Sequence, residues 1–136
     1  MSDAMMDIRI PSTAAEYPER DGEPLAETDL HLDETIALRH MLRERYRAAS
    51  NVYVGCDLLI YYEEGNPAAR FAPDVFVVMG ARPGRRRIWK LWEEALVPTI
   101  VVEISSRGTW LEDFGNKRAL SERLGVAEYF VIDPER

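Results

Sequence analysis

Apolar positions follow two different periods along this chain. Leu38, Leu42 and Tyr46 fall at i, i+4 and i+8, beside the pairs Ile36 with His40 and Ala37 with Met41. That stripe predicts one amphipathic helix. Thr28 or Asp29 can cap its start, and Asp33 and Glu34 suit the positive end of its dipole. Arg43, Arg45 and Arg47 load the opposite end, so the helix is expected to close near Ala49. From Asn51 the period changes to two. "VYVGCDLLIYY" is rich in β-branched and aromatic residues, with Gly55 and Asp57 marking a bulge or break. "EEGNP" is a turn, and "RFAPDVFVVMG" holds the next strand, beginning at Pro73 and Asp74. "ARPGRRR" is a loop, "IWKLW" a short strand or extended run, and "EEALVP" a second connection. "TIVVEIS" is almost continuously apolar, as a strand buried on both faces should be. "WLEDFGNKRALSERL" predicts a second helix closed by Gly125 at C′, and "VAEYFVIDP" a last strand ended by Pro134.

The resulting order is helix, a meander of three or four strands, a crossover helix and a strand, which is the pattern of an α/β or α+β fold with a mixed sheet. Residues 1–27 carry three prolines in "IPSTAAEYPERDGEPLAE" and no apolar period. They are expected to form a flexible N-terminal arm ahead of a single domain over residues 28–136.

A chain of 136 residues suits one core. The acidic N-terminus does not resemble a signal peptide and no run spans a bilayer. Cys56, the only cysteine, excludes an internal disulfide and fits a cytoplasmic location, and it reads as a small apolar filler. The net charge of −7 argues against coating nucleic acid by bulk electrostatics. A nucleic-acid role would need a local basic patch and metal ions to offset the acids. "ARPGRRRIWK" is the one candidate patch, although a bare charge run is more often a solvated loop. His31 and His40 have no cysteines at ligand spacing and make no zinc site. His40, on the helix stripe, is expected to be half-buried, whereas His31 near the helix start could face a cleft.

One carboxylate breaks the apolar run "PTIVVEISSRGTW". Glu103 shares a strand face with Val101 and Ser105 and sits near the strand's C-terminal end, where open sheets tend to bind ligands. Asp74 opens an earlier strand directly after a proline. If those strands are neighbours, the two acids converge, and they repel unless a divalent cation lies between them. Oxygen ligands alone select a hard ion, Mg²⁺ or Mn²⁺. Asp113 and Lys117 stand at i and i+4 on the helix that leaves Glu103's strand, so the Lys117 ammonium could reach the same place. Each signal has a structural alternative: a turn aspartate, a surface ion pair, a glutamate paired with the arginine loop.

Together, "PDVFVV", "PTIVVEISS", "TWLEDFGNK" and "GVAEYFVIDP" resemble the Uma-type restriction endonuclease family, a branch of the PD-(D/E)XK nuclease superfamily. The likeness covers about residues 22 to 134. It implies a restriction-endonuclease-like core, a mixed central sheet flanked by helices. It also implies a Mg²⁺- or Mn²⁺-dependent endonuclease that hydrolyses phosphodiester bonds in nucleic acid, DNA first of all. By this resemblance Asp74 and Glu103 would hold the metal together with the backbone carbonyl of Ile104, and Lys117 would complete the catalytic set. In the wider superfamily a lysine stands two residues after the glutamate. Here that position is Ser105, and the family moves the lysine to the following helix. Ser106 fits the family's E-x-x-S pattern and Asp113 its D-x-x-x-K step. Arg85, Arg86 and Arg87 would hold flanking phosphates.

This chain departs from the pattern at three places. Pro18 in "YPERDGE" replaces a glutamate that Glu27 or Glu34 could supply, and Ser121 stands where a tyrosine is common. The chain also stops at "DPER", where family members usually continue, so the domain is expected to lack the C-terminal part. The competing expectation is a catalytically inactive relative that binds nucleic acid or self-associates, for example as a homodimer through "EYFVIDP". Target sequence, DNA against RNA, and pathway are not encoded in any motif.

Overall fold

The structure is a computed structural model that describes residues 15–19, 29–105 and 110–134, the side chains of 110–114 excepted. Its elements are α1 (Asp29–Arg45), β1 (Val52–Cys56), β2 (Ile60–Tyr61), β3 (Arg70–Phe71), β4 (Val75–Met79), β5 (Trp89–Lys90), α2 (Leu91–Glu94), β6 (Ile100–Ile104), α3 (Trp110–Leu124) and β7 (Glu128–Ile132).

Four strands form the main sheet in the order β1-β4-β6-β7. β1 and β4 are antiparallel, as are β4 and β6, whereas β6 and β7 run parallel. A parallel neighbour requires a crossover, and α3 supplies it. The central strands β4 and β6 carry a run of fully buried apolar side chains, Val75, Phe76, Val77, Val78 and Val101. That explains their near-continuous apolar sequence. One face of the sheet, built on Val52, Val54, Val75, Val77 and Val102, receives Leu38 and Leu42 from α1 and Tyr46 from the turn after it. The other face, with Tyr53, Phe76, Val78 and Val101, packs against Trp89, Ile60 and Phe71 of the small sheet β3-β2-β5 and against Leu120 and Leu124 of α3. The fold is therefore the expected mixed sheet flanked by helices. No helix among the described residues is long and apolar enough to cross a membrane.

Several boundaries differ from the expectation. α1 closes at Arg45 rather than near Ala49, and residues 46–48 form a turn. His40 is exposed instead of half-buried, because α1 turns His31, Thr35, Leu38 and Leu42 toward the sheet. The run 52–62 is two strands, separated where Asp57 takes a left-handed φ of 54°. "IWKLW" divides into the two-residue β5 and one turn of helix that Ala95 ends at φ 60°. α3 and the closing Gly125, at φ 93°, fall where the sequence places them. Part of the segment read as an arm is docked. Tyr17 stacks edge-on against Tyr61 at 5.0 Å, and its hydroxyl accepts a hydrogen bond from the Gly65 N–H at 2.8 Å.

Gly55 pairs directly with Phe76 across β1 and β4, and the ring lies over it. A Cβ there would stand 2.4 Å from the ring of a side chain that is itself fully buried. Gly55→Ala is expected to cost about 1–3 kcal/mol through overpacking. The check is a lower urea midpoint at unchanged m value.

Candidate metal and catalytic site

β4 and β6 pair with Val75 opposite Val102 and Phe76 opposite Val101. Extending that antiparallel register by one residue sets Asp74 opposite Glu103. Both lie on the sheet face that carries Phe76 and Val101, by alternation. The regular ladder ends here, so backbone N–H groups need other acceptors. The two acids supply them reciprocally. The Asp74 N–H donates to Glu103 Oε1 at 3.0 Å, and the Ile104 N–H donates to Asp74 Oδ2 at 2.7 Å. Each carboxylate is thereby fixed by the other strand's backbone.

Two further elements converge on the pair. α3 leaves from the end of β6, and Lys117, two turns in, brings its Nζ to 3.5 Å from Glu103 Oε2. From the other side, the start of α1 places His31 Nε2 3.5 Å from Asp74 Oδ2. Tyr129 of β7 pairs with Val101, which puts it on Glu103's face. Burial pushes the Tyr129 phenol well up, and the charges of Glu103 and Asp74 push it the same way.

Glu103 is completely buried, and its Oε2 accepts no hydrogen bond. Burial raises its carboxyl to about 7. The Lys117 ammonium counteracts this, and the neighbouring Asp74 charge adds to it. A buried carboxylate oxygen without a hydrogen bond, next to a second carboxylate, is the environment that a divalent cation satisfies. Among the described residues no three His, Cys, Asp or Glu side chains gather as a metal cluster. A Mg²⁺-type ion does not require one, since one or two carboxylates with water and substrate phosphate are its usual complement.

The remaining expected residues are scattered. Ser105 is buried, and its N–H extends the ladder to the Ile132 carbonyl at 2.8 Å. Glu34 is exposed on α1. Glu27 and Ser106 lie outside the described residues, as does the side chain of Asp113, whose backbone belongs to α3. Ser121 is buried, with no hydrogen-bond partner for its hydroxyl. In the basic loop, Arg86 is engaged internally. Its guanidinium meets Glu94 at 2.7 and 3.2 Å and lies over the Tyr53 and Trp89 rings at 4.5 and 4.6 Å. Arg85 and Arg87 are exposed, Arg87 with Glu19 at 3.3 Å. Tyr129 was absent from the sequence-derived set. Only the parallel register of β7 against β6 puts it near Glu103, and no local motif carries that register.

A family model described as "Uma2: Putative restriction endonuclease" matches residues 7–136. Among solved structures, the crystal structure of a "putative nuclease belonging to DUF820" from Anabaena variabilis superposes with a TM-score of 0.63 at 13% sequence identity. The match covers 80% of this chain and 59% of that one, so this chain spans less than two thirds of its length. At that identity the likeness is one of fold. No curated protein matches the chain significantly.

Proposed function

The chain belongs to the Uma2 family, described as putative restriction endonucleases, and from that membership and the site geometry we propose a metal-dependent nuclease that hydrolyses phosphodiester bonds in DNA. The observation that carries this reading is the buried Glu103 carboxylate: its Oε1 accepts the Asp74 N–H, while its Oε2 faces the Lys117 ammonium at 3.5 Å and has no hydrogen bond. Asp74 and Glu103 would hold Mg²⁺ or Mn²⁺ with the Ile104 carbonyl. Such an ion, when bound, polarises the phosphate and lowers the pKa of an attacking water. Lys117 sets a positive charge where negative charge develops on the phosphoryl oxygens. His31 steadies Asp74 from the opposite side. Arg85 and Arg87 reach toward flanking phosphates, while Arg86 braces their loop.

Hydrolysis of a supercoiled plasmid in Mg²⁺ or Mn²⁺ tests the proposal. Cleavage should vanish in EDTA and in Asp74→Ala, and persistence in either would remove it.

The high carboxyl value of Glu103 sets a pH dependence. Without a cation the folded state favours protonated Glu103, so this group's contribution to stability is present at acidic pH. It is lost as pH rises from the ordinary carboxylate range through about 7. A cation must displace that proton. Apparent Mn²⁺ affinity is therefore expected to fall about tenfold per pH unit below 7 and to level off above it. Calorimetric titrations between pH 5.5 and 8.5 measure this directly.

A second reading has its own observation. β7 is the edge of the main sheet, and its Phe130, Val131 and Ile132 are 49%, 43% and 38% exposed. Uncovered apolar edges tend to pair, which favours a homodimer through β7. Sedimentation should give twice the chain mass, reverting to one in Phe130→Lys. A wild-type monomer at high concentration would exclude it.

A further inference from the structure

Arg39, Arg43 and Arg47 recur every four residues along α1 and the turn after it. The end of a helix dipole accounts for the last of them but not for Arg39, which sits in mid-helix. In a chain of net charge −7 they gather with Arg85 and Arg86 and with Tyr46 around one cavity of about 500 Å³. Among the described residues that line it there is no Asp or Glu. Glu94 and two aromatic rings claim Arg86, but Arg43 and Arg47 are engaged only weakly. Arg43 donates to the Val54 carbonyl at 3.4 Å, and Arg47 faces Glu44 at 3.4 Å with 79% and 57% of the two side chains exposed.

The cavity lining extends to Cys56, at the end of the strand next to the one that Asp74 opens. The floor follows β1, whose Cys56 pairs with Val75, the neighbour of Asp74. Beyond Cys56, the Asp57 N–H donates to the Asp74 carbonyl at 3.2 Å. α1 runs alongside with His31 at the acids. Arg39 follows about 12 Å further on and Arg43 about 6 Å beyond that, from a rise of 1.5 Å per residue. A step of about 6 Å is comparable to the separation of successive phosphates along a nucleic-acid strand.

We infer that the groove between α1 and the loop 82–86 is the track for one nucleic-acid strand, its phosphates held by Arg39, Arg43 and Arg47 and led toward Asp74 and Glu103. This rests on the nuclease reading and deepens it by naming where the substrate backbone lies. Tyr46, half-buried in the same wall, adds a surface for a base to stack on.

The test is fluorescence anisotropy in EDTA with a fluorescein-labelled 20-nucleotide DNA, single-stranded and as duplex, over a range of salt. Working in EDTA separates binding from hydrolysis, so failure of the groove and failure of the metal site are read independently. Arg39→Gln/Arg43→Gln is expected to weaken binding about tenfold or more. It should also flatten the salt dependence by about 1.4 on the single strand, at about 0.7 per lost phosphate contact. The charge-matched control Arg70→Gln/Arg123→Gln, at two arginines outside the cavity lining, should keep the wild-type slope, and thermal melts verify that all variants fold. An unchanged groove variant, an equal loss in the control, or equal displacement of DNA by polyglutamate would overturn the inference.

Discussion

Glu103→Gln is expected to abolish divalent-cation binding and to lower phosphodiester hydrolysis by about a hundredfold or more, while leaving the melting temperature unchanged or raised. The side chain is completely buried, and burial is the largest influence on its titration. Glutamine has the same shape and still accepts the Asp74 N–H, so the link between β4 and β6 survives. The substitution removes a buried negative charge and one ion pair, with Lys117, which is itself 35% exposed and screened by solvent. Functional sites that hold an unfavourable charge for their chemistry show this divergence of stability from activity. Plasmid cleavage and a thermal melt decide it together. A melting temperature lowered by several degrees would assign Glu103 a structural role instead.

Lys117→Met carries the second large effect. The ammonium stands 3.5 Å from Glu103 Oε2 and is the strongest influence holding that carboxyl down. Its loss lets Glu103 bind its proton more firmly, so cation affinity at neutral pH should drop severalfold and recover near pH 9. Hydrolysis should fall about a hundredfold and stay low at both pH values, because the charge that faced the phosphoryl oxygens is absent. Recovery of the rate together with binding at high pH would reduce Lys117 to a tuner of Glu103. A rate equal to wild type would remove its assigned role altogether.

The sequence exposed the parts whose signals are local. Alternation in "TIVVEIS" fixes the face of Glu103, and the i, i+4 step on α3 fixes the turn from which Lys117 arises. The conditional step, that the strands of Asp74 and Glu103 are neighbours, is a matter of register. The ladder of β4 with β6 supplies it. Long-range placement escaped the sequence for the same reason. Tyr129 comes near Glu103 only because β7 returns parallel to β6, and Tyr17 contacts the domain across more than forty residues. Arg86 looked like its neighbours in "GRRR", yet two aromatic rings and Glu94 claim it. A charge run gives no indication of which member will find such partners. The likeness in fold to a longer nuclease-like chain is consistent with the mixed sheet, while the chemistry depends on the acids themselves.

One measurement addresses the core of this account most directly: a calorimetric Mn²⁺ titration at pH 8 of the wild type, Asp74→Asn and Glu103→Gln. A single ion bound per wild-type chain, and none in either variant, is the predicted outcome. No binding by the wild type, or the same isotherm after either substitution, would contradict the claim that these two acids share one cation.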